Sequence, residues 1–267
     1  MKNNILRVFL GGDIFGSVGM RCIAALLPSF IASEEIDFTV INAENATSGI
    51  GVSEEDARSV ISSGADVITG GNHTFEKREF WDALSSMNEM LRPANYPVDA
   101  NLPGRGAALF EKHGIKFGVI NLQGREDMMP IDCPFHFADA QIAAWAKEAD
   151  PPLVFVDFHA ESNQEKEAMG LYLAGRTVSV TGTHTHVQTA DERILPGGTA
   201  YMTDLGMTGA LRSVIGMDPA LAIKRNITQV LYRMEPNDAK GALRGLIIDI
   251  DIISRTAVAL RRVELSE

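Results

Sequence analysis

The sequence predicts an α/β protein built as an αββα sandwich, in which two mixed β-sheets pack together and helices flank them. From residue 5 to 90, and again from 153 to 181, short apolar runs alternate with helical patterns. That order is typical of parallel sheets with right-handed crossovers. After residue 186 the chain reads mostly as β, which adds antiparallel strands. No linker or repeat interrupts the 267 residues, so we expect a single domain over 1–267.

Three strand–helix units are predicted in the N-terminal part. Each strand is a short apolar run, as expected for parallel strands buried on both faces. Ser53 is the expected N-cap of the second helix, and Pro28 is expected to kink or break the first. The predicted strands are Ile5–Leu10, Phe38–Ile41 and Asp66–Thr69, and the predicted helices are Met20–Ile31, Ser53–Ser63 and Glu76–Met90.

The middle of the chain is rich in proline and glycine, which predicts turns and loops. A hairpin is expected from Ala107–Lys112 and Lys116–Leu122, and a loop over Asp127–Phe137 that could cover the site. The remaining predicted helices are Asp139–Ala149, Asn163–Ala174 and Asp218–Arg225, and the remaining strands are Leu153–Phe158, Thr177–Thr181, Arg193–Leu195, Ala200–Thr203, Gln229–Glu235, Gly245–Ile252 and Ala257–Val263.

Composition excludes several classes of function. The formal net charge is −11, from 24 Lys and Arg against 35 Asp and Glu, without a run of like charges. Such a surface does not favour nonspecific binding to long nucleic acid or to an anionic membrane. Cys22 and Cys133 form neither a zinc motif nor a disulfide framework. With no signal-peptide pattern and no apolar stretch near the ~18 residues of a membrane span, we expect a cytoplasmic protein.

Most of the metal-binding side chains follow predicted strands directly. In an open α/β sheet, ligands bind beyond the carboxyl ends of the strands, so these side chains are expected to converge. Carboxylates, carboxamides and imidazoles together suit a pair of divalent metals, and a metal pair indicates hydrolysis of a phosphate ester. The segments are Gly11-Gly12-Asp13, Asn42-Ala43-Glu44-Asn45, Gly70-Gly71-Asn72-His73-Thr74, Asp157-Phe158-His159 and Gly182-Thr183-His184-Thr185-His186.

Each segment has an ordinary structural explanation when taken alone. Asp13 could cap a helix, Glu44 and Asn45 could form a polar loop, and Asn72 could sit in a left-handed turn. The histidines argue against coincidence, because four of the six in the chain belong to these segments.

His184 and His186 lie two positions apart after a predicted strand. In a strand-like extension, residues two apart point to the same side, so both imidazoles would face one centre. The remaining two histidines, His113 and His136, are interpreted as structural residues of a turn and a loop.

Taken in order, this pattern resembles the calcineurin-like metallophosphoesterase superfamily, and within it the bacterial YmdB-like phosphodiesterases. The resemblance extends over essentially the whole chain. Two departures from the wider superfamily are features of this subfamily: Phe15 stands where the first motif usually has a histidine, and Glu44 stands where the bridging residue is usually Asp. The motifs that carry the resemblance are Gly11-Gly12-Asp13-Ile14, Asn42-Ala43-Glu44-Asn45, Gly71-Asn72-His73 and Thr203-Asp204-Leu205-Gly206-Met207-Thr208-Gly209.

The resemblance implies two metal sites that share Glu44 as a bridging ligand. Mixed nitrogen and oxygen ligands fit iron, manganese or zinc better than magnesium or calcium, and the resemblance suggests iron or manganese. The implied ligands are Asp13, Glu44, Asn45 and His186 for one metal, and Glu44, Asn72, His159 and His184 for the other.

Two further roles are predicted beside the metals. His73 is not counted as a ligand and would protonate the leaving alkoxide. The segment Gly206–Gly209 is predicted to be a loop that brings backbone N–H groups or the Thr208 hydroxyl to the phosphate, with Thr208 and Gly209 as substrate-binding residues. A tight turn without a substrate contact is the equal alternative.

The expected function is therefore that of a dinuclear-metal phosphodiesterase for small cyclic nucleotides. A hydroxide activated by both metals would attack phosphorus in line, and the resemblance favours 2′,3′-cyclic over 3′,5′-cyclic substrates. A phosphomonoesterase such as a 5′-nucleotidase is one alternative, and a regulatory protein that binds ligands at the same site is another. A homo-oligomer is expected from the subfamily and from apolar surface loops such as Ile131–Phe137.

Overall fold

A computed structural model describes residues 4–232 and 235–267 and confirms the αββα sandwich. A seven-stranded and a six-stranded sheet, both mixed, pack face to face. The first contains β1 (Ile5–Gly11), β2 (Asp13–Ile14), β3 (Phe38–Asn42), β4 (Val67–Thr69), β11 (Met207–Ala210), β12 (Gly241–Asp251) and β13 (Thr256–Ser266). The second contains β5 (Ala107–Lys112), β6 (Ile115–Gln123), β7 (Leu153–His159), β8 (Ser179–Thr183), β9 (Arg193–Leu195) and β10 (Thr199–Met202).

Five of the six helices in the described residues pack on the outer faces of the two sheets, and the sixth, Pro219–Thr228, belongs to neither of the core clusters formed there. Short 3₁₀ turns at Arg78–Phe80 and Val98–Ala100 supplement them. The helices are α1 (Gly16–Glu34), α2 (Glu54–Ser62), α3 (Trp81–Ser86), α4 (Pro134–Trp145), α5 (Asn163–Leu173) and α6 (Pro219–Thr228).

The sheet order brings the carboxyl ends of the parallel strands to one edge of the sandwich. In the first sheet β1, β3 and β4 run parallel, while β12 is antiparallel to β1. In the second sheet, β6, β7, β8 and β10 run parallel to one another. The edge strands β5 and β9 run antiparallel to their neighbours β6 and β10. The segments that follow β1, β3, β4, β7 and β8 therefore meet at this edge.

Three layers of apolar side chains hold the sandwich together. Between the sheets, Phe38 of β3 stacks on Phe117 of β6, with 3.9 Å between ring centroids and 9° between planes. A second cluster lies between the first sheet and its helices and includes Ile23, and a third lies under the helices of the second sheet and includes Trp145.

Helix α1 is longer than predicted and runs through Pro28 without the predicted break. The helix has 19 residues, and an 18-residue window within it has a mean hydropathy of 1.3, so by length and composition it is able to cross a membrane. The expectation that no apolar stretch comes near the length of a membrane span was therefore wrong. However, Ile23 and Leu27 are fully buried in the core cluster, as expected of a core helix.

Three other local predictions need correction. The helix predicted over Glu76–Met90 is largely replaced by a 3₁₀ turn and the short α3, because Met90 pairs with Ile68 as an extended strand partner. The loop predicted over Asp127–Phe137 ends early, since α4 begins at Pro134, and proline suits the first turn of a helix. Residues 229–232 and 235 of the predicted strand Gln229–Glu235 are not in a strand, and 233–234 lie outside the described residues.

Candidate metal centre

Glu44 lies at the middle of a buried cluster of the predicted ligands. Its Oε1 is 3.1 Å from Nε2 of His159 and accepts a 3.0 Å hydrogen bond from Nδ2 of Asn45. Its Oε2 accepts a 2.8 Å hydrogen bond from the backbone N–H of His73. The carboxylate thus joins residues from both sheets, as the predicted bridging position requires.

The other three predicted ligands of one metal converge on Nε2 of His159. Besides Glu44, the Asn72 Oδ1 atom and the His184 Nδ1 atom each lie 3.0 Å from this nitrogen. Ligand atoms of Glu44, His159 and His184 all lie within 4.8 Å of one another, a spacing that could hold one ion.

The other predicted ligands meet around Nε2 of His186, and Asn45 joins them to Glu44. Nε2 of His186 is 3.3 Å from Oδ2 of Asp13 and 3.3 Å from Nδ2 of Asn45. The Asn45 carboxamide directs its nitrogen towards His186. A 180° rotation of the carboxamide would direct its oxygen there instead, and oxygen is the atom that would bind a metal.

The residues present fit a metal ion by two independent observations. Oδ1 of Asp13 is buried and has no hydrogen-bond partner within residues 4–232 and 235–267, a costly state for a carboxylate that a bound cation would relieve. A methyl group at Gly71 would lie 2.3 Å from Nε2 of His159 and 2.4 Å from Oε2 of Glu44. The backbone is therefore packed tightly against the ligand atoms.

Charges in the cluster are strongly coupled. Burial would raise the pKa of Glu44, but the neighbouring His159 lowers it to about 2. Burial would lower the pKa of His159, but Glu44 raises it to about 9. Burial and His159 together lower the pKa of His184 to about 4, so this imidazole is neutral at pH 7 with a lone pair for a ligand. The Glu44 carboxylate thus attracts positive charge into the site.

The segment that carries His184 and His186 is not an extension of the strand. Strand β8 ends at Thr183, and both histidines adopt left-handed backbone angles, with φ of 103° and 65°. The prediction that both imidazoles face one centre is retained, but the strand-like geometry offered for it was wrong.

His73 borders the cluster without joining it. Its side chain is 32% exposed, and Nδ1 lies 3.5 Å from Oε1 of Glu76. The imidazole is thus partly exposed to solvent, although its Nδ1 atom is buried. Its role as a general acid stays a prediction.

Thr208 and Gly209 lie in strand β11, not in the predicted loop. The Thr208 hydroxyl accepts a 3.1 Å hydrogen bond from the Arg244 backbone N–H, which engages it in the sheet. A contact of either residue with substrate stays a prediction.

Sequence reasoning missed several residues that support the ligands. Oε2 of Glu161 lies 3.0 Å from Nε2 of His184, and Thr183 links His159 to Asp157. Burial raises the pKa of Asp157 to about 6. Glu161 follows β7 by two residues, so the rule that functional residues follow strands could have found it.

Comparison with known proteins places the chain in a family. The model of YmdB-like proteins matches residues 9–263. The chain belongs to the YmdB-like family. It is 44% identical over 262 residues to the 2′,3′-cyclic-nucleotide 2′-phosphodiesterase of Bacillus subtilis strain 168, with 98% of each chain covered.

Solved structures with a similar fold include two described as phosphate-ester hydrolases. A structure described as a novel phosphatase from Mycoplasma pneumoniae has a TM-score of 0.92 at 30% identity, covering 98% of this chain and 94% of that one. A 5′-nucleotidase precursor from Thermus thermophilus has a TM-score of 0.59 at 12% identity, covering 98% of this chain and 54% of that one. The second likeness shows the fold alone.

Proposed function

We propose that this protein is a metal-dependent phosphodiesterase that hydrolyses small cyclic nucleotides, with 2′,3′-cyclic substrates preferred. The observation that carries the proposal is the convergence of Glu44, Asn72 and His184 on Nε2 of His159, at 3.0–3.1 Å. The 44% identity to the B. subtilis 2′,3′-cyclic-nucleotide 2′-phosphodiesterase supports the substrate class.

Two metal ions suit the ligand set, and the resemblance to the family favours iron or manganese over zinc. Bound metals would supply a nucleophilic water of lowered pKa and offset charge on the phosphate oxygens. Glu44 would contact both ions. The first would be held by Asp13, Glu44, Asn45 and His186, and the second by Glu44, Asn72, His159 and His184.

His73 is proposed as the general acid. Its backbone N–H is tied to Glu44 at 2.8 Å, which fixes the residue beside the ligands, while its imidazole stays partly exposed. An imidazole so placed is able to give a proton to the leaving alkoxide when the ester bond breaks. The side chain also has an acidic neighbour, since Oε1 of Glu76 lies 3.5 Å from Nδ1.

The test is hydrolysis of 2′,3′-cAMP, 3′,5′-cAMP and a phosphomonoester, with added Mn²⁺ and after chelation. Asn72→Ala removes one predicted ligand, and Asn88→Ala is a matched control, since Asn88 is exposed and contacts Arg105. We expect Mn²⁺-dependent cleavage of 2′,3′-cAMP that Asn72→Ala abolishes and Asn88→Ala retains.

Other outcomes discriminate between the alternatives. Preferential cleavage of the phosphomonoester would favour a phosphatase, as the M. pneumoniae structure's description does for that protein. Metal binding without turnover of any ester would favour a regulatory role for the same site. Cleavage that persists after chelation would contradict metal dependence.

A further inference from the structure

A lysine–aspartate ion pair is buried completely beneath the metal centre. Nζ of Lys166 lies 2.7 Å from Oδ2 of Asp204, and the two side chains are 1% and 0% exposed. Removing both charges from water carries a large desolvation penalty, so such a pair is weak evidence for stability. The contacts of Asp204 indicate a different reason for it.

Asp204 holds the residue between two predicted ligands. Its Oδ2 accepts hydrogen bonds from the Thr185 backbone N–H at 3.0 Å and from the Thr185 hydroxyl at 2.8 Å. His184 and His186 on either side have positive φ, a conformation that is unfavourable for residues with a Cβ atom. Such backbone persists only when the surroundings hold it, and Asp204 supplies that support.

The other oxygen of Asp204 supports a third ligand. Oδ1 accepts a 2.8 Å hydrogen bond from the Gly206 backbone N–H, and the Gly206 carbonyl accepts a 3.0 Å hydrogen bond from the Asp13 backbone N–H. One carboxylate therefore fixes the backbone that presents Asp13, His184 and His186.

The fold leaves a path for the lysine to reach this carboxylate. Lys166 projects from α5 past Gly182, where a methyl group would lie 2.8 Å from its Cδ atom and 1.9 Å from the Thr203 carbonyl oxygen. The absence of a side chain at Gly182 thus lets the Lys166 side chain pass close to the backbone. The lysine neutralises a carboxylate that has no exposure to solvent of its own.

We propose that the buried Lys166–Asp204 pair is a positioning device that sets metal affinity by fixing Thr185 between His184 and His186. This inference rests on the proposed metal-dependent function. The hydrogen bonds of Asp204 go to the backbone and hydroxyl of the ligand segment, so the pair acts on the metals through that segment.

The test compares Co²⁺ affinity and the Co²⁺ absorption spectrum across variants of the full-length protein. Thr185→Val removes the hydroxyl at constant shape, Thr185→Ser retains it, and Asp204→Asn removes the charge. Lys112→Met is the control, because Lys112 forms its ion pair away from the metal centre. Its Nζ atom lies 2.7 Å from Oδ1 of Asp66.

We expect Thr185→Val and Asp204→Asn to weaken Co²⁺ binding about 10- to 100-fold, with an altered spectrum, as is usual when residues behind a metal ligand are lost. Thr185→Ser should restore affinity to near the wild-type value, and Lys112→Met should not change it. Thermal unfolding monitors stability in parallel.

Unchanged Co²⁺ affinity in Thr185→Val would overturn the proposal, even if stability fell, and it would do so whether or not Asp204→Asn folds. The same weakening in Lys112→Met would also overturn it, because the effect would then be general. Failure of the wild-type protein to bind Co²⁺ would instead contradict the proposed metal-dependent function.

Discussion

The Thr183 hydroxyl lies 3.0 Å from Nδ1 of His159 and donates a 2.7 Å hydrogen bond to Oδ1 of Asp157. Because its proton is used on Asp157, the hydroxyl oxygen accepts from Nδ1–H of the imidazole. The other ring nitrogen, Nε2, then faces the Glu44 and Asn72 oxygens, where it would become a ligand atom if a bound metal displaced its proton. Two neighbouring strands of one sheet thus fix the orientation and tautomer of a predicted metal ligand.

Thr183→Val should weaken metal binding about 10-fold or more, since it removes the group that orients His159. Isothermal titration with Mn²⁺ measures the change. Thr199→Val is the control, because the Thr199 hydroxyl is equally buried and donates to the Thr177 carbonyl. Equal losses of affinity in both variants would indicate a general packing effect and contradict the orienting role.

Gly71→Ala should abolish metal binding, with affinity reduced by at least about 100-fold. Its Cβ atom would lie 2.3 Å from Nε2 of His159, so ligand and backbone would have to separate. Gly114→Ala is the comparison: a methyl group there meets open space, and the cost is limited to about 1 kcal/mol of unfolding free energy for its positive φ. Normal metal content in Gly71→Ala would show that the site adapts, contrary to this expectation.

The convergence of these side chains could be predicted from the sequence because strand ends are encoded locally. Apolar runs mark β1, β3, β4, β7 and β8, and the polar residues after them are visible without knowledge of the pairing. Parallel-sheet geometry then brings those residues together.

What escaped prediction depends on contacts between distant segments. Strands β2 and β11 have two and four residues, and they form by pairing with each other across the chain. Lys166 and Asp204 are 38 residues apart, and neither lies in a pattern that predicts an ion pair. The left-handed backbone at His184 and His186 also arises from tertiary contacts, because local sequence favours a continued strand.

Phe38→Ala should lower the free energy of unfolding by about 3–5 kcal/mol, the usual cost of truncating a buried phenylalanine. Its ring stacks on Phe117 across the two sheets and is 1% exposed. Urea unfolding followed by circular dichroism measures the loss. A loss below about 1 kcal/mol would show that the inter-sheet layer repacks around the cavity.

The two cysteines should react at very different rates with a thiol reagent at about pH 8. Burial raises the pKa of the Cys22 thiol to about 11, so little of it is thiolate, and its side chain is fully enclosed. Cys133 is partly exposed and should account for the fast phase. In Cys133→Ser that phase should vanish, and the remaining thiol should react only after denaturant is added. A fast phase in Cys133→Ser would contradict the core position of Cys22.

His73→Ala should reduce kcat by about 100- to 10,000-fold while both metals stay bound, because it removes a proton donor and not a ligand. Metal content by elemental analysis and turnover of 2′,3′-cAMP are measured on the same preparation. The backbone N–H that His73 donates to Glu44 is kept in the variant, so the Glu44 carboxylate stays in place. His136→Ala, in α4, controls for loss of an imidazole elsewhere.

A substrate with a much better leaving group needs less protonation, so His73→Ala should recover most of the lost rate on it. Loss of metal together with turnover would make His73 a ligand and would rule out its role as the general acid.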